Sequence, residues 1–195
     1  MSDTRTLAVI PVFAALIVGS DLVLAGIPNV KLVDTLVFVS AYVYGFRVGA
    51  SVGILSEFLW AYLSPWGMPG YIAPFLIAGE VVYALAGFLA AKFWKGSPGV
   101  PSGKSIFIGS ILVLCAFFWD LETNLATALV QFWPTVTLAH VAATLVSGIP
   151  FMLSHEVSDF MFGMVFAPVI ILLIPRLMAR TQRIGFGTIR AEESK

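Results

Sequence analysis

Apolar residues run along this chain in long unbroken blocks. The blocks cover about residues 7–27, 33–46, 49–64, 71–94, 105–132, 137–153 and 156–178. Short breaks that contain Gly, Pro, Asn or Ser separate them, as expected at turns. A run of ~20 apolar residues can cross the ~30 Å hydrocarbon core of a bilayer as an α-helix. The pattern therefore predicts an all-α membrane protein, and the first block, which continues past Asp21, favours a span over a cleaved signal peptide.

Composition supports this interpretation. Of the 195 residues, 59% are hydrophobic and 11% are charged, and the mean hydropathy is +0.96. A soluble domain carries about 25% charged residues, so these few charges could not cover a surface in water. The net charge of zero argues against a nucleic-acid partner. We therefore expect one integral membrane domain over residues 1–195.

Basic residues set the expected topology. Lys and Arg collect at the cytoplasmic ends of membrane spans. With both termini cytoplasmic, Lys31 is the single outer residue among the eleven Lys and Arg, and this arrangement requires an even number of crossings. The sequence thus predicts six transmembrane helices, at about 7–27, 33–46, 49–64, 71–94, 105–132 and 150–178, with an irregular outer loop at about 133–149.

Acidic residues fall in the outer and middle parts of these predicted spans, where a charged side chain costs ~2.5–3.5 kcal/mol to insert and usually marks a function. Helical spacing groups them with polar and aromatic residues: Asp120 with Asn124, Glu57 with Trp60, Glu80 with Tyr83, and His155 with Asp159. Trp119 lies at similar depth. Polar groups interleaved with aromatic rings suit a flat heterocyclic ligand, which can stack while its edges are hydrogen-bonded.

Structural interpretations of the same residues stay open. Outer tryptophans can form an interfacial aromatic belt. Glu57 and Glu80 could be protonated groups that are hydrogen-bonded between helices. Asp34 could be a helix-start acid that the helix dipole favours, or a ligand contact. The sequence shows no nucleophile elbow and no clustered Cys/His set, so we expect no enzymatic activity, no cofactor and no bound metal.

Small residues recur every fourth position in several spans. Gly45, Gly49 and Gly53 do so through the second turn, where packing within the protein is expected. Ala15 and Gly19 do so on the first span, where the small face could instead receive a helix of a partner.

Three segments resemble the S components of energy-coupling factor (ECF) vitamin transporters, most closely the riboflavin type. They are 26–31 (GIPNVK), 45–50 (GFRVGA) with Gly53, and 147–151 (SGIPF). The resemblance covers roughly residues 7–180. It implies six spans and a ligand site in the outer half that includes the first loop, which adds Asn29 to the candidates. With those chosen from their spacing and depth, the candidate substrate-binding residues are Asn29, Glu57, Trp60, Glu80, Tyr83, Trp119, Asp120, Asn124, His155 and Asp159.

The resemblance also implies partners and a mechanism. An S component captures a vitamin or related micronutrient in a prokaryotic plasma membrane and works with a transmembrane T protein and two cytosolic ATPases, which hydrolyse ATP. Family members dock the T protein through an Ala-xxx-Ala face on the first span, and Ala15 and Gly19 occupy that slot here, with Gly in place of the second Ala. The resemblance does not indicate which micronutrient is bound, because the shared segments are not specific to one substrate. The alternative is a self-sufficient proton- or cation-coupled carrier in which the membrane acids form a relay.

Overall fold

Six α-helices make up the computed structural model, which describes residues 3–94 and 99–192. They are α1 (Asp3–Leu24), α2 (Val33–Tyr44), α3 (Phe46–Leu63), α4 (Ala73–Phe93), α5 (Gly103–Phe132) and α6 (Leu138–Glu192). One 3-10 turn, Gly70–Ile72, precedes α4. The predicted all-α fold class is therefore confirmed. Among the described residues, four segments are long and apolar enough to cross a membrane: Leu7–Leu24, Gly70–Phe93, Gly103–Phe132 and Leu138–Ile174. Six crossings and cytoplasmic termini stay predictions.

The short helix α2 forms the centre of the bundle. Its twelve residues extend only ~18 Å at 1.5 Å per residue. Residues 33–41 are all buried, so α2 is enclosed on every side, as expected of a helix that is apolar all round. It therefore carries Asp34, Thr35 and Ser40 into the protein interior, where each is at most 1% exposed.

Glycines allow α3 and α4 to approach α2 closely. A Cβ at Gly49 would overlap Ala41, and one at Gly87 would overlap the carbonyl of Phe38. At Gly53 a Cβ would lie 3.4 Å from Val37 and 2.9 Å from the Cβ of Glu80. These contacts confirm internal packing for Gly49 and Gly53. Gly45 is different, because a Cβ there would meet nothing within 4 Å, and its positive φ of 95° places it in the turn between α2 and α3.

Helices α5 and α6 form a long hairpin, and this corrects the predicted irregular loop at 133–149. Only residues 133–137 separate the two helices, and 138–149 is the first part of α6. The ring of His140 stacks on Phe132 at 4.1 Å, and Gly148 packs against the amide of Asn124. Pro150, at which the last predicted span began, instead lies inside α6. Neighbouring helices often make such a proline tolerable in membrane proteins, and here the packing on α5 outweighs the breaker signal.

The connections alternate between the two ends of the bundle. The α1–α2 loop reaches α6, where Ser154 Oγ donates to the Pro28 carbonyl at 2.9 Å. We name this the cavity end. At the opposite end, Trp94 packs edge-on against Phe107 with ring centroids 4.6 Å apart. The helix ends and loops at the cavity end surround the candidate site.

Candidate functional site

A cavity of ≈ 460 Å³ opens at the cavity end, between the α1–α2 loop, the α3–α4 connection, α5 and α6. Most of its lining is apolar, and the aromatic members come from four different parts of the chain: Trp60, Trp66, Trp119 and Phe151. Trp60 and Trp119 are buried, whereas Trp66 is 69% exposed. The site is thus a wide aromatic pocket with an open rim. Its volume lies within the ~300–1,000 Å³ range of small-molecule sites.

The indole of Trp119 is held in a fixed position in the wall. Its Nε1 donates to the Leu76 carbonyl at 3.3 Å, and its edge faces the ring of His155 at 5.2 Å. Gly79 on α4 makes room for it, because a Cβ there would overlap the indole. Gly79, the Leu76 carbonyl and the His155 ring therefore hold the Trp119 indole in place between α4, α5 and α6.

A polar edge crosses the cavity along one face of α5. It consists of Asp120, Thr123, Asn124 and Thr127, which recur at helical spacing. Thr127 Oγ1 donates to the Thr123 carbonyl at 2.7 Å, and Asn124 Nδ2 donates to the Asp120 carbonyl at 2.7 Å. These bonds orient the side chains and leave oxygen lone pairs to accept from a ligand.

The α1–α2 loop closes one side of the cavity and brings a cation to it. Leu32 N donates to Asp21 Oδ1 at 2.8 Å, which ties the loop to α1. Lys31 Nζ lies 4.0 Å from Glu57 Oε1 and 5.2 Å from the centroid of Trp119. Burial by itself lowers the pKa of Lys31, but Glu57 and the other nearby acids outweigh it and raise that pKa above its ordinary value. Lys31 is therefore an ammonium.

A buried polar network lies behind the cavity wall, with His155 at its centre. His155 Nδ1 is 3.0 Å from Asp120 Oδ2, and its Nε2 is 3.3 Å from Asp34 Oδ2. Tyr83 donates to Asp159 Oδ2 at 2.9 Å. Asp120 belongs to both parts of the site, since it lines the cavity and bonds to the network.

Glu80 is the exception within this buried region. It is 0% exposed, and neither carboxylate oxygen has a hydrogen-bond partner among the described residues. Its electrostatic neighbours include Asp34, Glu57 and Asp159. A buried polar group without a partner is costly and calls for an explanation.

The ten predicted site residues divide into two groups. Five line the cavity: Asn29, Trp60, Trp119, Asp120 and Asn124. The other five are Glu57, Glu80, Tyr83, His155 and Asp159, which lie in the buried region and are absent from the cavity lining. Asn29 has a positive φ of 57°, and its Nδ2 donates to the Phe151 carbonyl at 3.4 Å. That residue shapes the loop as well as lining the pocket.

Sequence reasoning did not select three residues that the structure adds. The sequence identifies Lys31 only as an outer cation and leaves two interpretations of Asp34 open. Phe151 belongs to the 147–151 segment, for which no individual role is predicted. Lys31 had the clearest signal, because it is a lone cation in a region rich in acids.

The small face of α1 lies on the outside of the bundle. Ala15 and Gly19 are exposed, and a Cβ at Gly19 would meet nothing within 4 Å. Large apolar neighbours on the same helix are also exposed, among them Val12 at 65% and Leu16 at 54%. This face is available to lipid or to another helix.

No protein-family model, curated protein or solved structure matches this chain.

Proposed function

We propose that this chain is the substrate-binding S component of an ECF-type importer, and that it binds a vitamin-like micronutrient in the cavity between its loops. The single observation that carries the proposal is the ≈ 460 Å³ cavity with its aromatic walls and polar edge. Resemblance of the loop and turn segments to S components gives the class. The first loop, which the resemblance assigns to the ligand site, contributes residues to the lining of this cavity.

The lining favours a flat heteroaromatic ligand with hydrogen-bond donors on one edge. Trp60, Trp119 and Phe151 offer apolar surface for its faces. Asp120 and Asn124 offer oxygen acceptors for its donors, and charged or donor-rich groups bind carboxylates most strongly. Lys31 at the same cavity adds a cation for an acceptor or an acidic group of the ligand. The site therefore suits a ligand that has hydrogen-bond donors and also an acceptor or an acidic group.

The exposed face of α1 supports the partner side of the proposal. Ala15 and Gly19 leave a shallow apolar surface on the outside of the bundle. Small residues allow another helix to approach the backbone closely. We assign this face to the transmembrane T protein, which would couple the chain to two cytosolic ATPases.

A thermal-shift screen of the purified protein against a vitamin panel tests ligand binding. A ligand at 100 times its Kd stabilises the folded state by ~2.7 kcal/mol, which corresponds to a rise in Tm of roughly 5–10 °C for a chain of this size. We expect one class of compound to give this rise, and no rise with any compound would contradict the proposed substrate class.

A matched pair of substitutions on α5 locates the binding. Thr127→Leu fills the cavity, whereas Ser110→Leu lies on an exposed part of the same helix outside it. Both hydroxyls donate to the carbonyl four residues earlier, so the lost hydrogen bond is equivalent. The thermal shift should disappear in Thr127→Leu and persist in Ser110→Leu. Loss in both variants, or in neither, would place the ligand elsewhere.

The second candidate function is an ion-coupled carrier, which the buried chain Asp120–His155–Asp34 favours. Linked ionisable groups inside a membrane protein are typical of proton and cation relays. Uptake into liposomes that contain only this chain distinguishes the two functions. The S-component proposal predicts no accumulation under a proton or sodium gradient, and accumulation only when the ATPase module and ATP are present. Gradient-driven accumulation by the chain alone would favour the carrier.

A further inference from the structure

Three buried side chains converge between α2 and α6. Asp34 comes from α2, and His155 and Asp159 lie one turn apart on α6. His155 Nε2 is 3.3 Å from Asp34 Oδ2 and 3.9 Å from Asp159 Oδ2. Each residue offers one ligand atom, and these atoms all lie within 4.8 Å of one another. All three residues are at most 3% exposed, so this is an enclosed cluster and differs from acidic groups on a surface.

His155 makes the kind of hydrogen bond that orients the ring of a metal-binding histidine. Its Nδ1 is 3.0 Å from Asp120 Oδ2, so Nδ1–H can donate to Asp120. Metal binding would release the proton of Nε2 to solvent, and the Nε2 lone pair would then face Asp34 and Asp159. Histidines that bind metals almost always donate their other ring N–H to a carboxylate or carbonyl. Tyr83 donates to Asp159 in the same way, at 2.9 Å, and fixes the direction of that carboxylate.

The cluster also has unsatisfied acceptors. Asp159 Oδ1 is buried and has no hydrogen-bond partner among the described residues, and the same is true of both oxygens of Glu80. Glu80 is one turn from Tyr83 on α4 and interacts electrostatically with Asp34 and Asp159. Buried acceptors are normally satisfied, and an ion is one of the partners that satisfies them. A cation at the cluster would give the Asp159 carboxylate a partner and would offset the negative charge of the surrounding acids.

We propose that Asp34, His155 and Asp159 bind one divalent transition-metal ion, of the Zn²⁺ or Mn²⁺ type. Metal–ligand bonds of ~2.1 Å in a tetrahedral site separate neighbouring ligand atoms by ~3.4 Å. The observed separations of 3.3 and 3.9 Å lie on either side of that value. One imidazole with two carboxylates suits Zn²⁺ and Mn²⁺, whereas Mg²⁺ and Ca²⁺ prefer oxygen ligands alone.

Such an ion would join α2 to α6 directly behind the cavity wall. Asp120 connects the two sites, since it accepts from His155 and also lines the cavity. The ion would thereby fix the orientation of a carboxylate that faces the ligand. Metal binding does not depend on the identity of that ligand, so the two proposals can fail separately.

The test uses the full chain in detergent, purified through an affinity tag without histidine and stripped of metal with EDTA. After addition of Zn²⁺ or Mn²⁺ and gel filtration, the metal content is measured by mass spectrometry. We expect one equivalent to be retained by the wild type and at least a tenfold weaker affinity in His155→Gln and Asp159→Asn. Asp21→Asn, a buried carboxylate outside the cluster, serves as the control and should retain the metal.

Electron spin-echo spectroscopy of the Mn²⁺-loaded protein keeps the proposal testable even where a cluster variant fails to fold. The chain contains two histidines, so the other one provides a matched control. The wild type should show coupling to one imidazole nitrogen, and His140→Gln should keep it. Absence of nitrogen coupling in the wild type, loss of coupling in His140→Gln, or equal metal retention in His155→Gln would overturn the proposal. The cluster would then be a protonated His155 held between carboxylates.

Discussion

The substitution Gly79→Ala tests whether the aromatic wall of the cavity is fixed in the way the structure indicates. An added methyl group would overlap Cδ1 of Trp119 and lie 2.6 Å from its Nε1. Ordinary contact begins near 3.4 Å, so the contact with Nε1 alone requires a retreat of about 0.8 Å, and the closer Cδ1 requires a larger one. His155 lies against the ring edge and Leu76 accepts its N–H, so the retreat disturbs both contacts.

The expected magnitude comes from three contributions. Overpacking of a filled interior costs ~1–3 kcal/mol, and the weakened hydrogen bond from Trp119 to Leu76 costs ~1 kcal/mol. Replacing a helical glycine by alanine returns ~0.8–1.0 kcal/mol through helix propensity. Gly79→Ala should therefore be destabilising by roughly 1–3 kcal/mol.

Gly19→Ala is the matched control, because a Cβ at Gly19 would meet nothing within 4 Å. It receives the same gain in helix propensity without the overlap. The two variants should thus differ by ~2–4 kcal/mol in unfolding free energy, or roughly 5–15 °C in Tm. Gel filtration after heating in detergent, monitored by protein fluorescence, measures this difference. Equal Tm values for the two variants would refute the proposed rigidity of the Trp119 wall.

Three further predictions concern other parts of the molecule. Gly148→Ala should push the amide of Asn124 aside, because the new methyl would overlap it; the amide can move, so Tm should fall by only a few degrees while ligand affinity falls at least tenfold by calorimetry. Tyr83→Phe removes the donor to Asp159 and should lower the unfolding free energy by ~0.6–1.7 kcal/mol in a denaturant titration; an unchanged midpoint would contradict that hydrogen bond. Ala15→Leu should leave Tm and ligand affinity unchanged but abolish co-purification of the proposed T protein partner, and a wild-type yield of that complex would contradict the proposed docking face.

The polar edge of α5 was the part of the site that the sequence predicted best. Asp120 and Asn124 recur at helical spacing within a strongly apolar run, so the residues that share a face can be read directly. Both line the cavity. Local periodicity is sufficient there because all the residues concerned belong to one helix.

Contacts between distant elements could not be predicted in the same way. The spacing of His155 and Asp159 placed them together, but nothing in the sequence indicates that Asp34, 121 residues away, approaches the same imidazole. That contact depends on α2 being enclosed by its neighbours, and an apolar run of this length is equally consistent with a lipid-facing helix. The burial of Asp34 therefore depends on how the helices pack and could not be predicted from local sequence.

The start of α6 was predicted wrongly for a related reason. Gly148 and Pro150 are breaker residues by local preference, and the prediction placed an irregular loop before them. In the structure Gly148 lies inside α6 and packs directly against the amide of Asn124 on α5. A glycine that allows two helices to approach and a glycine that ends a helix look the same in one sequence, and only the neighbouring helix distinguishes them.

The central claim, that the cavity holds a specific small molecule, is tested most directly by mass spectrometry of what co-purifies with the chain. Protein purified in detergent from cells grown in rich medium would be denatured and the supernatant analysed, with Thr127→Leu treated in parallel. The account predicts a near-stoichiometric heteroaromatic compound from the wild type and little of it from Thr127→Leu. An equal amount of the compound from both proteins, or no compound from the wild type together with no response to the vitamin panel, would contradict it.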